Sequence, residues 1–105
     1  MVDYKKIAVR SDLQDGTMKQ YDVDDRHILL VRTEGQFYAI NALCTHAVGY
    51  LEDGELLGCE VFCPLHGGAF DVRTGAPTRL PADVPLACYP VKIEGEDILV
   101  GLESA

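Results

Sequence analysis

Four residues in this chain have the types and spacing to hold a metal. Cys44 and His46 form a C-x-H pair in "CTHAVGY". Cys63 and His66 form a C-x-x-H pair in "CPLHGGAF", and 16 residues, 47 to 62, separate His46 from Cys63. Thiolates and imidazoles are ligands for zinc and for iron, and two nearby loops that each give one sulfur and one nitrogen could enclose a metal centre. The grouping bears on which metal. A structural zinc site of the Cys₂His₂ type takes both cysteines from one knuckle and both histidines from another element. Here each loop is mixed, which suits a binuclear cluster with its cysteines on one iron and its histidines on the other. A zinc-binding module remains the rival from a different class.

The rest of the chain must place these two loops. With 105 residues, the chain has the length of one compact domain, read as residues 1–105, with no room for a separate catalytic or nucleotide-binding unit. Short apolar or alternating runs recur along it: "KIAV", "KQYDV", "HILLVRT", "QFYAINA", "CEVFC", "AFDV", "ACYPVKI" and "DILVGL". Turn signals at Glu34-Gly35, Asp53-Gly54, Thr74-Gly75 and Glu94-Gly95 separate them, the pattern of hairpins in an all-β antiparallel sandwich or barrel. One helical turn is expected at "SDLQDG", with Ser11 and Gln14 as a capping box and Gly16 as its end. The stretch "GAPTRLPADVP", carrying Pro77, Pro81 and Pro85, reads as an ordered loop outside any ladder and a possible lid.

Composition narrows the function. A formal charge of −8, from 17 acids against 9 bases, repels phosphate backbones and anionic lipid and favours a basic protein partner. The amino end "MVDYKKIAVR" has no apolar run of signal-peptide length, and no segment approaches the roughly 20 apolar residues of a membrane span. A cytoplasmic protein is expected, and its reducing surroundings turn the four cysteines toward metal binding or burial. Cys59 and Cys88 read as small buried core residues, and His27 as a surface or capping histidine.

The motif C-T-H-x16-C-P-L-H-G resembles that of the Rieske [2Fe–2S] proteins. The likeness runs through "FYAINALCTH", "GELLGCEVFCPLHGGAFDVRTG" and "LPADVPLACYPVKIEG", nearly the whole chain. It implies a Rieske-like all-β fold with a small cluster-binding subdomain of two loops, at about residues 42–80. It also implies one [2Fe–2S] cluster held by Cys44 and Cys63 on one iron and by His46 and His66 on the other, covered by the loop around Pro81. Two ferric ions, two sulfides and two thiolates sum to zero, so one added electron meets less opposition than in an all-cysteine cluster.

High-potential Rieske proteins join an extra cysteine from each loop in a disulfide; the matching places here are Gly49 and Leu65. Those proteins also supply a serine and a tyrosine hydroxyl where this chain has Gly68 and Phe70. A potential near the low end of the Rieske range, roughly −150 mV, is therefore expected. Gly67 and Gly68 would let backbone N–H groups approach the cluster sulfurs.

A Rieske oxygenase also needs a mononuclear iron held by two histidines and a carboxylate. After the four ligands only His27 remains, and no G-x-G-x-x-G fingerprint is present. The expectation is therefore a carrier and not an enzyme. It would be a monomeric ferredoxin taking electrons from an NAD(P)H-dependent flavin reductase and giving them to the terminal oxygenase of an aromatic-ring dioxygenase system. The Rieske-like small subunit of assimilatory nitrite reductase is the second reading.

Overall fold

The computed structural model describes residues 2–43, 49–64, 67–80 and 82–103. Among them the fold is built from β-strands joined by turns, with two single 3₁₀ turns at Arg10–Asp12 and Leu51–Asp53. The strands are β1 (Val2–Val9), β2 (Thr17–Val23), β3 (Arg26–Thr33), β4 (Gln36–Asn41), β5 (Glu55–Leu57), β6 (Glu60–Phe62), β7 (Ala69–Asp71), β8 (Pro77–Arg79), β9 (Cys88–Tyr89), β10 (Val91–Glu94) and β11 (Asp97–Glu103). They form three antiparallel sheets, in the orders β1-β11-β10, β2-β3-β4-β9 and β5-β6-β7-β8.

The middle sheet is buried on both faces, which explains why "HILLVRT" has no polar alternation. Ile28 and Leu30 of β3 pack with Ala8, Ile98, Val100 and Leu102 of the first sheet. Leu29 and Val31 point the other way, into a second core with Val61, Cys63, Phe70 and Val72 of the third sheet. All four β3 side chains are fully buried, and each contributes roughly 1.5–3 kcal/mol through its removal from water. β4 repeats the division, with Ala39 in the first core and Ile40 in the second. Buried Thr33 ends β3 by donating its hydroxyl to the Gly58 carbonyl at 2.7 Å, which ties the middle sheet to the β5–β6 turn.

Two-residue hairpins set the register. Thr33 pairs with Gln36 around Glu34 and Gly35, both at positive φ, and Val23 pairs with Arg26 around Asp24 and Asp25, again both positive. That is the conformation whose twist matches the flanking strands.

Several expectations need correction. The helical turn lies at Arg10–Asp12, earlier than "SDLQDG" suggested, and Asp12 rather than Gln14 reaches back, accepting the Val9 N–H at 3.0 Å. The proline-rich stretch is not free of ladder, because β8 pairs with β7 through Ala69↔Arg79 and Phe70↔Pro77. Pro77 is tolerated as the first residue of an edge strand, where a missing donor costs no ladder bond. The run "ACYPVKI" is two strands in different sheets: β9 pairs with β4, β10 with β11, and Pro90 is the corner between them.

Candidate metal centre

Both candidate ligand loops spring from closed roots on one core. The first root is an isolated antiparallel bridge between Leu43 and Tyr50. Ala42, just before it, donates its N–H to the His27 carbonyl and accepts from the Leu51 N–H, each at 2.9 Å. The second root is the β6–β7 hairpin, where the Cys63 N–H donates to the Gly68 carbonyl at 2.7 Å and the Cys63 carbonyl accepts from Gly67 at 3.3 Å. Ala42 and Leu51 of the first root and Cys63 of the second belong to the same buried cluster. Gly54 and Glu55, after the first loop, run beside Phe62, the residue before Cys63.

Cys63 is 2% exposed and forms no disulfide. Gly67 has φ +74, and open space surrounds the place where a Cβ would stand, so the backbone conformation and not crowding favours glycine there. Phe70 is fully buried, pairing within its sheet with Val61 of β6 and Pro77 of β8. A cavity of about 340 Å³ opens beside this hairpin, lined by Asp53, Gly54, Glu55, Phe62, Cys63 and Gly67. A second, of about 320 Å³, lies against the first root, lined by Gln20, Asp22, Tyr50, Glu52 and Asp53. Carboxylates therefore stand beside both roots.

Of the residues singled out in the sequence, Cys63, Gly67, Gly68 and Phe70 meet in the second hairpin. Cys44, His46, Leu65, His66 and Pro81 lie outside the described residues. Among the described residues no three histidine, cysteine or acidic side chains come together as a metal site.

A family model described as "Rieske [2Fe-2S] domain" matches residues 3–90. The chain belongs to the Rieske [2Fe–2S] family. It is 42% identical over 98 residues to the ferredoxin component of biphenyl 2,3-dioxygenase from Rhodococcus jostii (strain RHA1), covering 93% of this chain and 92% of that one. The ferredoxin of carbazole 1,9a-dioxygenase from Nocardioides aromaticivorans IC177 superposes with a TM-score of 0.89 at 42% identity, covering 92% of this chain and 95% of that chain. A chain from a complex of reduced oxygenase and oxidized ferredoxin in carbazole 1,9a-dioxygenase gives a TM-score of 0.87 at 37% identity, covering 92% and 91%. The cofactor is a Rieske-type [2Fe–2S] cluster, and these relatives are electron-transfer components rather than oxygenases.

The donor chemistry of the Rieske hairpin fits that cofactor. A buried, unbridged thiol comes immediately before Pro64 and four residues before Gly67, whose backbone is in the left-handed region, with no side chain on Gly67 or Gly68 to block a cluster from the backbone.

The other cysteines of the Rieske chain divide. Cys59 sits in the Gly58-Cys59 turn before β6, packed against the core but only half-buried rather than enclosed as expected, and donates its thiol to Glu34 Oε1 at 3.2 Å. Burial and that neighbouring carboxylate push its thiol up from the ordinary value. Cys88 departs from expectation: it is exposed on β9, where the next residues turn out of the sheet. His27 is half-exposed as expected, and its Nδ1 meets Asp22 Oδ1 at 2.8 Å. The hydrogen bond from His27 holds the Asp22 carboxyl below the usual carboxylate range. Its imidazole meets the Tyr50 ring edge-on at 5.7 Å. No residue pattern marks Tyr50, because an aromatic residue after a loop reads equally as the start of a strand.

Proposed function

We propose that this chain is the ferredoxin of an aromatic-ring dioxygenase system, accepting single electrons from an NAD(P)H-dependent flavin reductase and passing them to a terminal oxygenase. The observation that carries the reading is the match, over more than nine-tenths of both chains, to ferredoxin components of such systems. When bound, the cluster supplies reversible one-electron reduction. Cys44, Cys63, His46 and His66 would hold it, with the cysteines on one iron and the histidines on the other.

The chain's own part is to position and insulate. The closed roots at Leu43–Tyr50 and Cys63–Gly68 hold the two loops over one apolar core, and burial of Cys63 keeps water from its thiolate. Neither loop has a second cysteine to lock it to the other, so packing at the roots does that work. An acidic surface favours encounter with basic patches on both partners, in contacts as brief and small as redox pairs usually make.

Reconstitution tests the proposal. The loaded chain, a flavin reductase and a ring-hydroxylating oxygenase should together consume oxygen with NAD(P)H and an aromatic substrate, and omission of the chain should abolish uptake. An oxygenase that takes electrons equally well without it would refute the role. Turnover only with a nitrite reductase catalytic subunit would replace it with the nitrite reading.

A further inference from the structure

We infer that His27 and Tyr50 form an external brace that positions the first ligand loop, residues 44–49, and so controls how firmly its cysteine and histidine grip the cluster. The inference rests on the assignment of Cys44 and His46 as ligands. The loop leaves the sheet at Leu43 and returns at Tyr50, and the bridge between these two residues is its root. On the inner side, Leu51 is buried in the core. On the outer side, two contacts bind the returning segment to the β2–β3 hairpin, and a third, within the hairpin, steadies one of them. The His27 imidazole meets the Tyr50 ring at 81°, the edge-to-face arrangement favoured by ring quadrupoles. Asp22 fixes that imidazole through Nδ1 at 2.8 Å. Glu52 accepts the Gln20 N–H at 2.6 Å.

His27 meets the flanks of the loop twice, since its carbonyl also takes the Ala42 N–H before Leu43. One residue of β3 therefore touches the chain on both sides of the loop, by backbone at the entry and by ring at the exit. Its side chain contributes nothing to either core, being 38% exposed, and Asp22 beside it is 66% exposed. An aromatic pair of this kind can change a local opening equilibrium by up to about tenfold.

The test uses loaded protein and the variants His27→Ala, Tyr50→Ala, their double, and Tyr50→Phe. The readouts are the rate of cluster bleaching under an iron chelator, the EPR line width of the reduced protein, and thermal unfolding. The two alanine variants should bleach up to about tenfold faster than native protein, with broadened EPR lines. The double variant should bleach no faster than either single one, and Tyr50→Phe, which keeps the ring, should behave as native. Should an alanine variant fail to fold, His27→Gln and Tyr50→Leu take its place. Native bleaching and native line width in folded, loaded single variants overturn the brace alone. Intact cluster content in Cys44→Ser or His46→Ala protein overturns the ligand assignment beneath it.

Discussion

Gly54 lies so close to Phe62 that a Cβ on the glycine would stand 1.8 Å from the Phe62 carbonyl oxygen. The obstacle is backbone on both sides, so no rotamer relieves it. Gly54→Ala must push β5 from β6 at the pair Glu55↔Phe62, one residue before Cys63. Overpacking of this kind costs about 1–3 kcal/mol, and the upper end is expected here. Denaturant unfolding measures the loss. Iron and sulfide content per chain should fall with it, because β6, which must part from β5, runs directly into Cys63; native stability and loading would show that the two strands part freely.

The reduction potential should lie near the low end for Rieske centres, roughly −150 mV. Phe70 is apolar and fully enclosed, and position 68 is glycine, so neither offers a hydroxyl to the reduced cluster. The structure adds a second cause, because Asp53 and Glu55 line the cavity beside Cys63 and their charge opposes an added electron. Asp53→Asn and Glu55→Gln should each raise the midpoint by an amount on the order of tens of millivolts at low salt. A spectroelectrochemical titration of native protein above zero would contradict the hydroxyl argument, and unmoved midpoints in the variants would contradict the electrostatic one.

Acid stability should depend on the turn that leads from β7 to β8. Arg73 donates from Nε and Nη2 to the two oxygens of Asp71, at 3.0 and 2.8 Å, and its own N–H adds a third bond to Oδ1 at 2.9 Å. These bonds hold the Asp71 carboxyl below the usual carboxylate range, the side-chain bond from Arg73 being the largest cause. A depressed carboxyl pKa gives stability that is fully present above the unfolded value and is lost as pH falls through the folded one. The loss should begin near pH 4 and deepen below it. Arg73→Ala should flatten that part of the stability–pH curve by lowering stability at neutral pH while leaving the value in acid nearly unchanged; a curve parallel to native would refute the link.

What was readable in the sequence follows what each residue needs locally. The hairpin at Glu34-Gly35 announces itself through glycine, whereas the equivalent turn at Asp24-Asp25 has none and shows only as an acidic turn ahead of His27, although both aspartates take positive φ. β3 was legible as a strand, yet its burial on both faces reflects layers that form only on folding. The split at Pro90 was hidden because apolar alternation runs through it, and nothing local says that Tyr89 and Val91 join different sheets. That split also misled the reading of Cys88, which lies in an apolar run yet on an exposed position. The cluster motif was plain because its residue types are rare at that spacing; the roots, made of main-chain bonds from Ala42, Leu43 and Tyr50, leave no trace in residue type.

Charge should govern encounter with the partners. With eight more negative than positive groups, the chain attracts basic surfaces over distances that salt shortens, to about 8 Å at physiological ionic strength. Stopped-flow reduction by the reductase and reoxidation by the oxygenase should both slow as salt rises, through association rate more than through the bound complex. Rates that stay flat across ionic strength would assign the acidic surplus to solubility alone.

The cysteines should separate by their reaction with an alkylating reagent. Cys88 is the exposed thiol among the described residues and should be modified first. Its Sγ nevertheless rests 3.1 Å from the place of a Cβ on Gly75, and burial, then the Asp71 charge, push its thiol up. Its labelling should therefore be slow at neutral pH and accelerate into the alkaline range, since the thiolate is the nucleophile. Cys59 should follow later, because its thiol is half-buried, bonded to Glu34, and raised by both. Cys63, enclosed in the core, should not react in loaded protein. Peptide mapping by mass spectrometry reads the order directly. Alkylation of Cys63 ahead of Cys88 in loaded protein would be incompatible with a ligand at that position.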